Sequence, residues 1–469
     1  MIDTTPYYQD WLTDTLGLLA INSVRDDSQA SATAPYGPGP KQALQFMMQL
    51  AQRDGFTRTN IIGNRVGYIE IGPESDQAPI GVIVHVDTVP VNDLPQWHSD
   101  PFSPVVKDNF LYARGADDMK SEVTLSYYAL KYLVDHNVPL NRPVRLIIGT
   151  DEESEWTDMH QYFAEEQAIE YGFSPDGDAD LAYGEKGISQ LDLYFDSTNA
   201  STGPQLIDFH SGQTTNMLPG TATATVSGLS VATLRTAVAQ FTHDIPDLTG
   251  AVTVTTDGIT ITFTGKATHA ARPETGLNAA TYLAHFLSQY EFGGTAADFL
   301  NFVGHKVHDD PFGEKSGYGG YEPKLGHTTQ NIGITDFAAD KTGHLNLNFR
   351  YSLAFDEQAI IARLQAEHPW LTDVVRDSAG LVPHYVNPNS PIVQLLQAAY
   401  EKATGKPVTL TVNGGASFGR LMPQGVGFGA RITDDPSTAH QANERFDLAA
   451  YEPSLALLID EITQLANEL

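Results

Sequence analysis

The run Ile80-Gly81-Val82-Ile83-Val84 has no polar position to turn toward water. A strand of that kind is buried on both faces, as the central strands of a sheet are when helices pack above and below it. A second strand-like run spans residues 144–148. Between the two, residues 121–134 set Val123, Tyr127, Leu130 and Val134 along one helical stripe. This β–α–β order predicts an α/β layer. Trp11, Leu12, Leu16, Leu18 and Leu19 recur at helical spacing and predict an opening helix over residues 7–19. Gly37-Pro38-Gly39-Pro40 reads as a loop before a second helix. The tail returns to the same style, with helices expected over residues 391–404 and 453–466 and a strand over 425–430. Residues 188–383 differ. Strands expected at 221–226 and 259–263 alternate with helices at 231–241 and 279–290, the pattern of a separate α+β region.

Composition narrows the chemistry. Cysteine is absent, which excludes disulfides, thiolate ligands and a cysteine nucleophile, so any metal must be held by His, Asp and Glu. The 58 acidic and 27 basic residues give a formal net charge of -31. A surface of that sign repels nucleic acid and anionic membranes, and neither is expected as a partner. No apolar run approaches the roughly 18 residues that span a bilayer. The first residues lack the basic and apolar regions of a secretory leader, so the expectation is a soluble, cytoplasmic protein.

Ligands of a buried α/β sheet gather at the carboxyl ends of its strands. Val82-Ile83-Val84 runs into His85-Val86-Asp87, where residues two apart share a face. His85 in that position can ligate a metal while Asp87 fixes its tautomer, although a lone histidine at a strand end serves a structural role equally well. Asp117-Asp118 precedes the helix of residues 121–134. A carboxylate there can bridge two cations or simply cap the helix. Asp151-Glu152-Glu153 follows a buried strand. One of these acids can bind metal while its neighbour acts as general base on a metal-held water; a solvated acidic loop is the plainer alternative. Ser174-Pro175-Asp176 reads alone as a turn, and His440 lies far along the chain in Thr438-Ala439-His440-Gln441-Ala442-Asn443-Glu444.

Taken together and in order, these motifs resemble the dinuclear zinc metallopeptidase family of carnosinases, aminoacylases, desuccinylases and glutamate carboxypeptidases. The resemblance rests on His85-Val86-Asp87-Thr88-Val89-Pro90, Trp97 with Asp100-Pro101-Phe102, Arg114-Gly115-Ala116-Asp117-Asp118-Met119-Lys120 and Asp151-Glu152-Glu153. It covers nearly the whole chain. Phe173-Ser174-Pro175-Asp176, Pro383-His384-Tyr385-Val386 and Gly419-Arg420-Leu421 turn it toward bacterial dipeptidases of the PepV type.

The implied fold is a zinc-peptidase-like catalytic domain, a mostly parallel sheet flanked by helices. It is assembled from residues 1–187 and 384–469 and interrupted by an inserted α+β lid of residues 188–383. The implied cofactor is two divalent ions, Zn2+ before Mn2+ or Co2+. One would be held by His85, Asp118 and Asp176, the other by Asp118, Glu153 and His440. Asp118 would bridge them, Asp87 would orient His85, Glu152 would serve as general base and acid, and the Asp118–Met119 peptide would be cis. In the lid, the resemblance gives His269 to the developing oxyanion, Asn216 to substrate and Arg350 to the substrate carboxylate, to which the loop of Gly415 and Ser417 in the catalytic domain can add backbone donors.

Two departures stand out. Ser121 occupies a usual glycine position, and Asp178 and Asp180 crowd Asp176. An Asp at the position of Asp176 goes, in the family, with dipeptidases and aminopeptidases. The implied activity is hydrolysis of dipeptides or short peptides with a free N-terminus. N-acyl-amino-acid deacylation or desuccinylation is the alternative. A lid of this length is of the doubled kind, which implies a site complete in a monomer, with a dimer as the alternative.

Overall fold

The computed structural model describes residues 2–92, 94–177, 179–376 and 380–469; Asp178 lies outside the described residues. By contact the chain divides into two units. One holds the chain up to Tyr183 with Val386–Thr411 and Ala416–Leu469; the other holds Gly184–Tyr385 and Val412–Gly415.

In the first unit, Ile80–His85 and Val144–Gly149 are strands buried along their whole length. They run parallel, with His85 opposite Gly149. Tyr171–Ser174 joins the other edge of Ile80–His85 in parallel, and Gln424–Phe428 continues the direction beyond it. Outside this centre the pairing reverses. Val66–Ile71 and Thr59–Ile62 are antiparallel on one side, and Leu181–Glu185 begins antiparallel to Gln424–Phe428 on the other.

The expectation of a mostly parallel sheet is therefore corrected: the parallel part is its centre, and antiparallel pairs make up the flanks. Connection length explains the outermost of these pairs, Thr59–Ile62 with Val66–Ile71. Only Gly63-Asn64-Arg65 separates Thr59–Ile62 from Val66–Ile71, with Gly63 and Asn64 at positive φ. So short a link closes a hairpin, whereas a parallel pair needs a crossover of a dozen residues or more.

Strand alternation divides the apolar side chains between two faces. Val82, Val84, Leu146 and Ile148 pack with Trp11, Leu125, Tyr128, Leu458 and Ile462 in one continuous core. The contributing helices are Tyr8–Leu19, Lys120–Asp135 and Tyr451–Glu468, and the last two pack on one another. Ile83 and Ile147 point to the opposite face and are fully buried there. The loop expected at Gly37–Pro40 is also corrected: the helix Pro38–Arg53 already includes both prolines. A proline in the first helical turn lacks only an N–H that would have no helical partner. Gly37 makes the turn itself at φ 93, and a Cβ there would meet the Asp26 carbonyl oxygen at 2.9 Å.

The second unit is built on an eight-stranded, wholly antiparallel sheet. Its order is Thr249–Val254, Ile259–Thr264, Thr221–Ser227, Gln205–Ser211, Thr329–Ala338, Thr342–Tyr351, Gly187–Asp196 and Leu371–Arg376. Leu191, Phe195, Phe209, Phe263, Leu345 and Leu347 line one face. Leu234, Leu283, Phe286 and Leu364 from three helices cover it. The helix expected over 279–290 ends at Leu287.

Candidate metal centre

Three adjacent parallel strands deliver three groups of acid and histidine side chains to one end of the first unit's sheet. His85 is the last residue of its strand; Glu152 and Glu153 follow the end of Val144–Gly149; Asp176 follows the end of Tyr171–Ser174. Asp118 comes from the loop before the helix Lys120–Asp135, across a cis Asp118–Met119 peptide. His440 comes from the turn after Gln424–Phe428 and takes a left-handed backbone at φ 63.

These side chains form two triads that share Asp118. His85, Asp118 and Asp176 offer ligand atoms within 4.8 Å of one another, and so do Asp118, Glu153 and His440. The two oxygens of Asp118 divide between them: Oδ1 lies 3.2 Å from His85 Nε2, and Oδ2 lies 3.0 Å from His440 Nε2. His440 Nε2 is also 3.1 Å from Glu153 Oε1, and His85 Nε2 is 3.9 Å from Asp176 Oδ2.

A carboxylate with one oxygen toward each of two histidine-bearing groups can bridge two cations. His85 Nε2 and Asp118 Oδ1 are buried and, though 3.2 Å apart, make no hydrogen bond with one another or with any other group among the described residues, a costly state for polar atoms unless something else satisfies them. The donor set of imidazole nitrogens and carboxylate oxygens suits divalent zinc, manganese or cobalt.

Electrostatics point the same way. Burial, then crowding by Glu153, Asp176 and Asp118 against the pull of His85, pushes Glu152 well above the usual carboxylate range. Burial and Asp118 raise Asp176 to about 7, with His85 opposing. Burial and Asp118 also raise Glu153, against its bond to His440. Burial would raise Asp118 too, but His440 and His85 hold it below the ordinary value. Bonds to Asp118 and Glu153 lift His440 to about 11, and Asp118 and Asp87 lift His85 despite its burial. A group of four acids that draws protons onto both histidines is a group that calls for added positive charge.

Asp87 touches three parts of the cluster. It accepts the backbone N–H groups of Glu152 at 3.2 Å and Glu153 at 3.0 Å, and its Oδ1 lies 3.5 Å from His85 Nδ1. Asp151 is turned away from the cluster. It accepts from Arg25 Nη1 at 2.8 Å and from the backbone N–H of Thr157 at 3.0 Å.

Glu444 was not singled out from the sequence. Fully buried, it accepts the backbone N–H groups of Asp117 at 2.9 Å and Asp118 at 3.0 Å and pairs with Arg114. It fixes the loop that aims Asp118. The available signal was Arg114 itself, since a buried arginine in a glycine-containing loop demands a carboxylate. Ser121, the departure at a usual glycine position, is accommodated: its hydroxyl donates to the Ala116 carbonyl at 2.7 Å.

The remaining expected residues group within the second unit, Ser417 excepted. Met217 pairs with His269 in a two-stranded ladder, and the Ala270 N–H donates to the Asn216 carbonyl at 2.8 Å, so Asn216 and His269 are neighbours. Both are exposed. Arg350 is buried and donates through Nη1 to the Gly414 carbonyl at 3.4 Å, beside Gly415. Ser417 belongs to the first unit, where its hydroxyl accepts from the Gly419 N–H at 3.3 Å.

Comparison with known proteins bears on this arrangement. A model of the peptidase family M20/M25/M40 matches residues 81–464. A Staphylococcus haemolyticus protein that bears a provisional dipeptidase designation is 39% identical over 446 residues, 93% of each chain. Among solved structures, an M20 family metallo-carboxypeptidase from Sulfolobus solfataricus superposes with a TM-score of 0.57 at 17% identity, over 98% of this chain and 100% of the other. Human carnosine dipeptidase 1 superposes with a TM-score of 0.57 at 14% identity, over 99% and 97%. At those identities the likeness is one of fold.

Proposed function

The chain belongs to the peptidase family M20/M25/M40, and on that footing we propose that it is a metal-dependent dipeptidase of the PepV type, cleaving dipeptides or short peptides with a free N-terminus. The observation that carries the dinuclear-metal part of this reading is the shared Asp118, one oxygen toward each histidine-bearing triad. His85, Asp118 and Asp176 would hold one divalent ion and Asp118, Glu153 and His440 the other, with Zn2+ the preferred metal. Bound there, the two ions would polarise the scissile carbonyl and lower the pKa of a water toward about 7.

The protein's own groups do the rest. Asp87 keeps the His85 ring and the Glu152-Glu153 turn in one geometry. Glu152 takes a proton from the attacking water on a carboxylate oxygen and returns it to the leaving amine. The amino group of the substrate is attracted by the acids around Asp176.

By its resemblance to the family's lid, the second unit, with expected bounds 188–383, contributes His269 to the oxyanion. Asn216, Arg350, Gly415 and Ser417 would bind the substrate. The doubled length of the lid favours a monomeric enzyme, and we place it in the cytoplasm. Among the described residues no helix is long and apolar enough to cross a membrane.

The test is a substrate panel on metal-loaded protein: free-amine dipeptides against N-acetyl and N-succinyl amino acids. Preference for the dipeptides is expected. Turnover confined to the acylated amino acids would replace this reading with an N-acyl-amino-acid amidohydrolase.

A further inference from the structure

His269 sits on, and Asn216 directly precedes, a ladder of only two residue pairs, Met217 with His269 and Leu218 with Thr268. Two pairs are too few to hold a functional side chain in place, and the ladder is tethered elsewhere. Asn331, buried on the strand Thr329–Ala338, donates through Nδ2 to the Met217 carbonyl at 3.0 Å. Its Oδ1 accepts from Asn278 Nδ2 at 3.2 Å. Asn278 in turn donates to the Ile332 carbonyl at 2.9 Å and caps the helix Ala279–Leu287.

The same strand grips the ladder at two further points. Thr329 donates through Oγ1 to the Ala270 carbonyl at 3.2 Å. Gly333, at a break in register, lets the backbone before Asn216 come so close that a Cβ would lie 2.5 Å from the Thr215 carbonyl oxygen. Opposite Asn331 in the sheet stands Asn348, which accepts from Arg350 Nε at 3.2 Å; opposite Thr329 stands Arg350 itself. Residues directly opposed in an antiparallel pair share a face. The polar side chains that hold the ladder and the pair Asn348 and Arg350 thus lie on one face of the sheet. His269 also has a set tautomer, because the Ala271 N–H donates to its Nδ1 at 3.2 Å; the neutral ring then carries its proton on Nε2.

We propose that Asn331 is a positioning residue for turnover, acting through His269 by fixing the Met217–His269 ladder against the Thr329–Ala338 strand. This rests on the reading of His269 given above. The test is a double-mutant cycle of Asn331→Leu and His269→Ala on metal-loaded protein. kcat, KM, bound metal and thermal unfolding are measured on a dipeptide that the panel shows to be cleaved. Asn331→Leu is expected to lower kcat by about 10- to 100-fold, since small misplacements carry losses of that order. Two metals should remain bound. In the His269→Ala background the same substitution should change kcat less than threefold.

Independent, multiplying effects would overturn the inference. So would an unchanged kcat in Asn331→Leu while His269→Ala is impaired, and that result leaves the dipeptidase reading standing. An unimpaired His269→Ala enzyme would remove the role of His269 and the inference with it. Should Asn331→Leu not fold, Thr329→Val, which deletes only the bond to Ala270, is put through the same cycle. It must show the same cancellation, and its absence would overturn the proposal.

Discussion

The Asp87 carboxylate accepts the N–H groups of both Glu152 and Glu153 while lying beside the His85 ring. Asp87→Asn keeps the size of the side chain but turns one acceptor into a donor that faces an N–H. The expected outcome is a loss of about 10- to 100-fold in metal affinity or in kcat/KM, as for other residues that support ligands. A metal titration beside steady-state kinetics checks it; wild-type values in both would separate Asp87 from the site. At Asp118 the expectation is harsher. Asp118→Ala removes a donor from both triads and is expected to lose both metals, whereas His440→Ala loses mainly one. Metal content by mass spectrometry decides, and two tightly bound ions in Asp118→Ala would mean that the bridge is misassigned. His85, Asp118, Glu153 and Asp176 were legible as candidates because each stands at or just beyond a strand end or before a helix, whereas His440 lies well past the strand Gln424–Phe428 and was reached only through the family resemblance. Glu444 was not legible, because its partners Asp117 and Asp118 lie more than 300 residues away and no local pattern records that contact.

Elements carry their own test in the helix Tyr451–Glu468. Glu461 is buried there, and both of its carboxylate oxygens lack a hydrogen-bond partner. Burial, with Asp460 adding repulsion, raises it well above the ordinary glutamate range. A carboxyl raised in the folded state binds its proton more tightly there than in the unfolded chain. Its contribution to stability is therefore fully present below the unfolded pKa of about 4.3 and is lost as pH rises toward the folded value, by about 1.4 kcal/mol per pH unit. Glu461→Met removes this dependence. The variant is expected to gain stability over the wild type above pH 5, with the gain growing as pH rises toward the folded value. Denaturant unfolding across that range checks it, and a gain that shrinks with rising pH would contradict the sign. Helices and central strands were legible in the sequence since their apolar periodicity is local. The direction of the flanking strands was not, because pairing depends on the turn Gly63-Asn64-Arg65 and on partners far along the chain. The Pro38 helix start was hidden for a simpler reason: a Gly-Pro-Gly-Pro string signals a loop and a helix N-terminus alike.

At the scale of the whole molecule, two surpluses of negative charge act together. The chain carries a formal net charge of -31, and its candidate metal centre gathers three carboxylates around two histidines, with the Glu152 carboxylate crowded against them. Self-repulsion of that size opposes the compact state, and local repulsion at Asp118, Glu153 and Asp176 adds to it where the strand ends meet. Two divalent ions would relieve the local part, so metal should stabilise the fold as well as supply the chemistry. Binding to the native state alone contributes about 2.7 kcal/mol when free metal is 100-fold above its dissociation constant. Chelation is accordingly expected to abolish hydrolysis and to lower the unfolding temperature together, and a divalent metal should restore both. Added salt offers a second handle, because screening weakens repulsion between exposed charges and buried groups much less. Raising ionic strength should therefore recover part of the lost stability in chelated protein while leaving its activity absent. The measurement is calorimetry and dipeptide turnover on the same samples, with metal content verified. Full turnover by protein shown to be free of metal would end the metallopeptidase reading. An unfolding temperature indifferent to metal would show that the centre's charge is neutralised within the protein, and the pull of its acids on His85 and His440 would then have to be read as two ordinary ion pairs.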